Sequence, residues 1–159
     1  MQVFGASFTG SGGRPEPLEM GCYGIGVSRV LAASVEALSS ETELRWPPLL
    51  APFTVCLLAP KAGSREAAGT TELQDQLYNQ ILNIFPNDVV VDDREKMTIG
   101  RKQHEAYRTG FPLIVVVGKK SVDPDPMVEL HVPAEDRRVE LRPVELVQYL
   151  HQIRTKYTI

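Results

Sequence analysis

The sequence predicts an α/β fold, a mixed sheet flanked by helices, and three observations carry that prediction. Short apolar runs rich in β-branched residues stand at Thr54 to Ala59, Asp88 to Asp92 and Leu113 to Val117, too short for helices and suited to buried strands. Between them lie segments whose apolar residues recur at helical spacing. Beyond Pro126, two segments alternate apolar and polar residues around a proline-containing turn, the pattern of a hairpin at a sheet edge. With 159 residues and 43% apolar content the chain can fill one core and hardly two.

Taken in order, the chain opens with a strand or two and then the run Glu19-Met20-Gly21-Cys22-Tyr23-Gly24-Ile25-Gly26-Val27-Ser28-Arg29. Leu31, Val35 and Leu38 then follow at helical spacing, so the glycines lead into a helix with Arg29 in its first turn. Glycines there let a backbone pass close to a flat ligand, and an arginine beside a helix N-terminus suits a phosphate. The same pattern also fits tight packing beside a surface arginine. It is neither the dinucleotide fingerprint nor a P-loop, because the Gly-x-Gly-x-x-Gly spacing and the Gly-Lys-Ser/Thr ending are both missing.

After a Trp-Pro linker, the run TVCLLA reads as a strand ended by Pro60 and Gly63. Ser64 is placed to cap a helix whose stripe is Leu73, Leu77, Ile81 and Ile84, stopped near Pro86. The three valines before Asp92 predict a buried central strand. Thr98 is placed to cap a polar helix through Thr109, ended by Gly110 and Pro112. LIVVV is the next buried strand. Met127 to Val132 and Arg138 to Arg142 form the hairpin, and Pro143 opens a last helix with Leu146, Val147, Leu150 and Ile153 on its apolar face.

The formal net charge is −3 and the isoelectric point about 5.6, which argues against a protein that coats nucleic acid unspecifically. Between Arg94 and Lys120, however, seven basic side chains face two acidic ones. Such a run is either a solvated helix face or a local anion-binding edge. Asp92 and Asp93 fit a strand-end turn better than an acid/base dyad, since no nucleophile or histidine is near them in sequence. Cys22 and Cys56 lie in different units without Cys-x-x-Cys or histidine clustering, so neither a disulfide framework nor a structural metal is expected. His104, His131 and His151 fall on separate elements and read as surface or packing residues. No apolar run approaches the roughly 18 residues of a membrane span, and the N-terminus has neither a signal-peptide head nor an arginine-rich presequence.

The order GCYGIGVSR, then Arg45-Trp46-Pro47-Pro48-Leu49-Leu50-Ala51-Pro52-Phe53, then Asp92-Asp93-Arg94 with Gly100, Lys102, Gly110 and Pro112 behind it, resembles the C-terminal part of class II aminoacyl-tRNA synthetases. Within that class it is most similar to the prolyl-tRNA synthetases of bacterial and mitochondrial type, and its wording resembles the animal mitochondrial form. The resemblance implies three segments: residues 1–38 as the end of the class II antiparallel-sheet catalytic domain with the third class motif, 39–51 as linker, and 52–159 as an anticodon-binding domain. The first and second class motifs have no counterpart in the chain. A piece of a longer enzyme is therefore expected, inactive by itself.

The resemblance further implies Gly24, Gly26 and Arg29 at an ATP site, with Arg29 catalytic, and Gly21 and Cys22 lining a proline pocket. Arg94, Glu95, Lys102, Lys119 and Lys120 are implied as contacts to the anticodon of proline tRNA, while Tyr107 and Phe111, whose helical spacing suits the core, are read as core residues rather than as stacked on a base. Implied partners are proline, ATP with Mg2+, proline tRNA and a second copy in a homodimer, with neither DNA nor membrane, and the implied location is the mitochondrial matrix, or the cytoplasm of a bacterium. The competing reading is a non-catalytic tRNA-binding module or synthetase-like accessory protein.

Overall fold

The structure, a computed structural model, describes residues 2–157. It divides into two compact units, 1–30 and 31–159, and each has its own architecture.

The first unit holds an antiparallel hairpin of β1 (Ser7–Thr9) and β2 (Pro15–Pro17), in which Phe8 faces Glu16. Residues 18–26 form no regular structure, and helix α1 (Val27–Leu38) begins after them and runs across the division between the units. None of the described residues from Val3 to Val30 is buried. Two three-residue strands are too small to bury a side chain between them. The stripe expected of Leu31, Val35 and Leu38 is correspondingly open: Leu31 and Leu38 are exposed and Val35 is half-buried.

The second unit is built on a five-stranded sheet in the order β4-β3-β5-β6-β7. Its strands are β3 (Val55–Leu58), β4 (Val89–Asp92), β5 (Leu113–Val116), β6 (Val128–Val132) and β7 (Arg137–Leu141); β3, β4 and β5 are parallel and β6 and β7 run against them. Helices α2 (Arg65–Ile84) and α3 (Ile99–Thr109) connect the parallel strands, and α4 (Pro143–Ile153) closes the fold. The chain leaves β3 in one direction to form β4 and then crosses back over β3 to form β5. Right-handed crossovers in opposite directions need helices on opposite faces, and the two cores show that arrangement. Val55, Leu57, Leu113, Val115, Leu130 and their neighbours pack with α2 and α4, while Cys56, Leu58, Ile114 and Val116 pack under α3.

The local signals of the sequence match the elements they announce. Ser64 Oγ accepts the Ala67 N–H at 3.2 Å and Thr98 Oγ1 accepts the Arg101 N–H at 3.4 Å, each satisfying a free donor of a first turn. Gly110 ends α3 with φ +85°, and a Cβ there would lie 2.8 Å from the Leu44 carbonyl oxygen. Glycine is needed for both reasons. The valine strand is the correction: β4 is an edge strand and only half-buried, because it pairs with β3 alone and the next connection turns away from it. Part of the expected linker is also tied down. The Leu44 N–H donates to the Tyr107 carbonyl at 3.3 Å, and Trp46 Nε1 donates to the Thr109 carbonyl at 3.0 Å.

Candidate nucleic-acid interface

Three parallel strands end side by side at Leu58, Asp92 and Val116, and the loops that follow them make one edge of the sheet. The connection after β3 goes to one face and the connection after β4 to the other, so the crevice between these two loops is the switch point where such sheets bind ligands. The loops are joined there, with the Ala62 N–H donating to the Glu95 carbonyl at 3.0 Å.

Arg94 dominates the crevice rim. Its Nε donates to Asp92 Oδ1 at 2.9 Å and its Nη2 to Asp92 Oδ2 at 2.6 Å, while Nη1 donates to Glu105 Oε2. A guanidinium has five N–H donors, so three are engaged and one on each terminal nitrogen remains for a ligand. The side chain is 45% exposed. Hydrogen bonds from Arg94 hold both carboxyls below their usual range, and the same bonds keep the guanidinium firmly protonated. Asp92 is therefore a partner of Arg94 inside this cluster. Beside them, Cys56, Val90, Ala106 and Phe111 help to line a cavity of about 350 Å³ with Asp93, Arg94 and Glu105.

Asp93, Glu95 and Lys96 are exposed on the same loop. Lys119 is exposed on the loop after β5, two strands from β4, and Lys120 donates to both Glu140 oxygens at 2.6 Å. That hydrogen bonding raises the ammonium's affinity for its proton. Lys102 departs from its expected role. It is 0% exposed, and its Nζ donates to the Ala59 carbonyl at 2.9 Å and the Asp92 carbonyl at 2.8 Å, with Asp92 Oδ1 at 3.9 Å. Desolvation lowers its pKa. An ammonium so placed cannot reach an RNA. The run of basic residues is thus partly neutralised by pairing and partly turned inward.

Sequence reading missed a second polar cluster. His131, on β6 and 1% exposed, lies 2.8 Å from Tyr107 Oη and 3.1 Å from Gln103 Nε2 through Nδ1, and 3.1 Å from Glu129 Oε2 through Nε2. A carboxylate only accepts, which puts the proton on Nε2 and leaves Nδ1 to accept from the phenol and the amide. The spacing of Gln103 and Tyr107 on one helix face was the available signal. Tyr107 and Phe111 both pack on the core beneath α3.

In the first unit, Gly21, Cys22, Gly24, Gly26 and Arg29 are all exposed. The Gly26 carbonyl accepts the Val30 N–H at 2.9 Å, which makes Gly26 the cap position of α1. Amides of the first turn have no intrahelical partner, and Arg29 stands among them, so the residues fit a phosphate group. Among the described residues no group of three acidic, imidazole or thiol side chains could hold a metal ion, and no helix is long and apolar enough to cross a membrane.

The anticodon binding domain family matches residues 57–153. The chain is 46% identical over 124 residues to the probable mitochondrial proline–tRNA ligase of Homo sapiens, covering 76% of this chain and 26% of that protein. It is 34% identical over 151 residues to the proline–tRNA ligase of Lactobacillus helveticus, covering 95% and 25%. It therefore spans about a quarter of the length of these relatives. Among solved structures, prolyl-tRNA synthetase from Cryptosporidium parvum, complexed with L-proline and AMP, shares the fold with a TM-score of 0.64 at 20% identity, over 98% of this chain and 31% of that one. With the family matched across more than half of its length, the chain belongs to the anticodon-binding domain family, in the form carried by the proline–tRNA ligases it resembles.

Proposed function

We propose that the chain is a working segment of a proline–tRNA ligase, in which residues 52–159 bind proline tRNA and read its anticodon, and residues 1–38 contribute the third class motif to an ATP site. The observation that supports this reading most is the crevice at the β3/β4 switch point, within the span matched by the anticodon-binding family. Sequence-specific RNA recognition works on unstacked bases offered to side-chain donors and acceptors. Arg94 has two N–H groups left for a base edge, Glu95 can accept from a guanine N–H, and Lys119 supplies charge for phosphates, with Lys120 doing so only by exchanging Glu140 for one.

In the reaction of such a ligase, the proline carboxylate attacks the α-phosphate of ATP with loss of pyrophosphate, and the 3'-terminal adenosine of the tRNA then accepts the prolyl group. Arg29 and the free amides behind Gly26 would hold phosphate oxygens and offset the charge growing on the leaving pyrophosphate. Gly24, where a Cβ would meet nothing within 4 Å, leaves room for the adenosine, and Gly21 and Cys22 would line the proline pocket. Magnesium, brought in with ATP, would offset the charge of the phosphates. A homodimeric enzyme in the mitochondrial matrix completes the proposal, of which the names of the mitochondrial relatives support the organelle alone.

The test is fluorescence anisotropy at two salt concentrations with proline tRNA and a transcript altered at the anticodon guanines. Arg94→Ala is expected to lose about 1–3 kcal/mol on proline tRNA and to erase discrimination, whereas Lys119→Ala weakens both RNAs and lowers the salt slope by about one. Equal losses on both RNAs for Arg94→Ala would make Arg94 a phosphate clamp.

A further inference from the structure

Two adjacent parallel strands end with carbonyls aimed at one point. After the last paired residues, Leu58 on β3 and Asp92 on β4, the Ala59 and Asp92 carbonyl oxygens both lie within 3 Å of Lys102 Nζ. Two carbonyl dipoles converging at a buried point repel each other unless a donor or cation stands between them. Lys102 is the fourth residue of α3, which begins where the loop after β4 ends, so its nitrogen joins strand end, loop and helix, beside the Ala59 N–H that donates to the Asp92 carbonyl at 3.4 Å.

We propose that Lys102 is a positioning residue for RNA reading: its buried ammonium fixes the ends of β3 and β4 against each other, and thereby the loop that presents Arg94 and Glu95, without touching RNA. This deepens the anticodon reading and rests on it. The loop has few other holds. The Ala59 N–H donates to the Asp92 carbonyl at a long 3.4 Å, the Arg94 N–H to Asp92 Oδ1 at 3.3 Å, the Ala62 N–H to the Glu95 carbonyl and the Met97 N–H to the Arg94 carbonyl at 3.3 Å, and Asp92 and Glu105 hold the Arg94 guanidinium. Asp92 serves both ends, with its carbonyl on Lys102 and its carboxylate on Arg94. A shift of its backbone therefore moves the guanidinium directly.

Filling the volume does not require a charge. Methionine nearly matches the length and apolar stem of lysine and so keeps the packing, while it leaves the Ala59 and Asp92 carbonyls without their ammonium donor and lowers stability to that extent. What methionine lacks is the ability to draw two carbonyls to one point. Positioning is separated from stability by the affinity ratio, which is read only in molecules that have folded.

The experiment uses the full 159-residue chain, Lys102→Met, and the same two RNAs at two salt concentrations, with circular dichroism to establish folding. The expected result is a folded variant whose affinity ratio between proline tRNA and the anticodon-altered RNA falls by about tenfold, with an unchanged salt slope because no phosphate contact is lost. A role in folding alone would reduce the active fraction for both RNAs and leave the ratio unaltered. An unchanged ratio overturns the proposal, as does a salt slope reduced by about one, which would mark a direct phosphate contact. If the methionine variant does not fold, Lys102→Gln, which keeps an N–H donor, is read in the same way; failure of both to fold overturns the positioning role in favour of a folding requirement. A wild-type chain that does not distinguish the RNAs overturns the anticodon reading itself, whereas discrimination kept by both wild type and Lys102→Met overturns only the role of Lys102.

Discussion

The two units carry equally legible motifs on unequal physical foundations. The glycine run with Arg29 is as specific in sequence as the Asp92-Asp93-Arg94 stretch, yet every residue from 21 to 29 is exposed, whereas Asp92 and Arg94 rest on a sheet buried on both faces. A motif records what a ligand needs from a backbone. A core records what the chain can hold by itself, and the two signals are independent.

The strongest way to break this contrast is truncation. Leu57 is fully buried in the larger core, so Leu57→Ala removes methylenes and leaves a cavity, at a cost of about 2–5 kcal/mol. Phe4 is 82% exposed, so Phe4→Ala should change stability by no more than about 0.5 kcal/mol. Urea unfolding of both variants measures the difference. Comparable shifts would mean that the first unit contributes to the cooperative core.

The cysteines sharpen the same contrast chemically, since each unit contains one. Cys22 is exposed, while Cys56 is buried under α3, where burial pushes its thiol from the ordinary 9.0 up to about 12. An upward shift of that size in the thiol pKa cuts the reactive thiolate by orders of magnitude at any pH below 9. A chromogenic disulfide reagent at pH 8 should therefore titrate one thiol promptly and the second only on unfolding. Two thiols reacting at similar rates would place Cys56 within reach of solvent and refute the tight packing of α3 on the sheet.

These outcomes also measure how far the sequence could be read. Caps at Ser64 and Thr98 and the stop at Gly110 were legible because each depends on residues within one turn of the signal. The position of β4 was not, since three valines look the same on an edge as in the middle of a sheet, and only the direction of two crossovers decides between them. The basic run misled for a similar reason. Lys102 is turned inward by the meeting of two strand ends, and Lys120 is paired with Glu140 twenty residues along the chain. The crevice was legible in its location, because both flanking loops follow recognisable strands. Its electrostatics were not, because Glu105 reaches Arg94 from a helix whose angle no local pattern specifies.

The smallest expected effect compares how the helices begin. In the larger unit Ser64 Oγ satisfies a first-turn amide of α2, and Ser64→Ala removes that acceptor from a helix that buries Leu77, Ile81 and Ile84, costing about 1 kcal/mol. At the start of α1 the cap position is Gly26, which has no side chain to offer. A Cβ there would meet only the Arg29 Cβ, at 3.4 Å, an ordinary contact. Gly26→Ser is accordingly sterically allowed, and since serine and glycine differ by only a few tenths of a kcal/mol as caps, urea unfolding should barely register it. A loss near that of Ser64→Ala would show that the backbone at Gly26 is under a constraint that belongs to the fold. A negligible change would leave ligand approach as the physical use of this glycine, in keeping with the phosphate site proposed for this helix start.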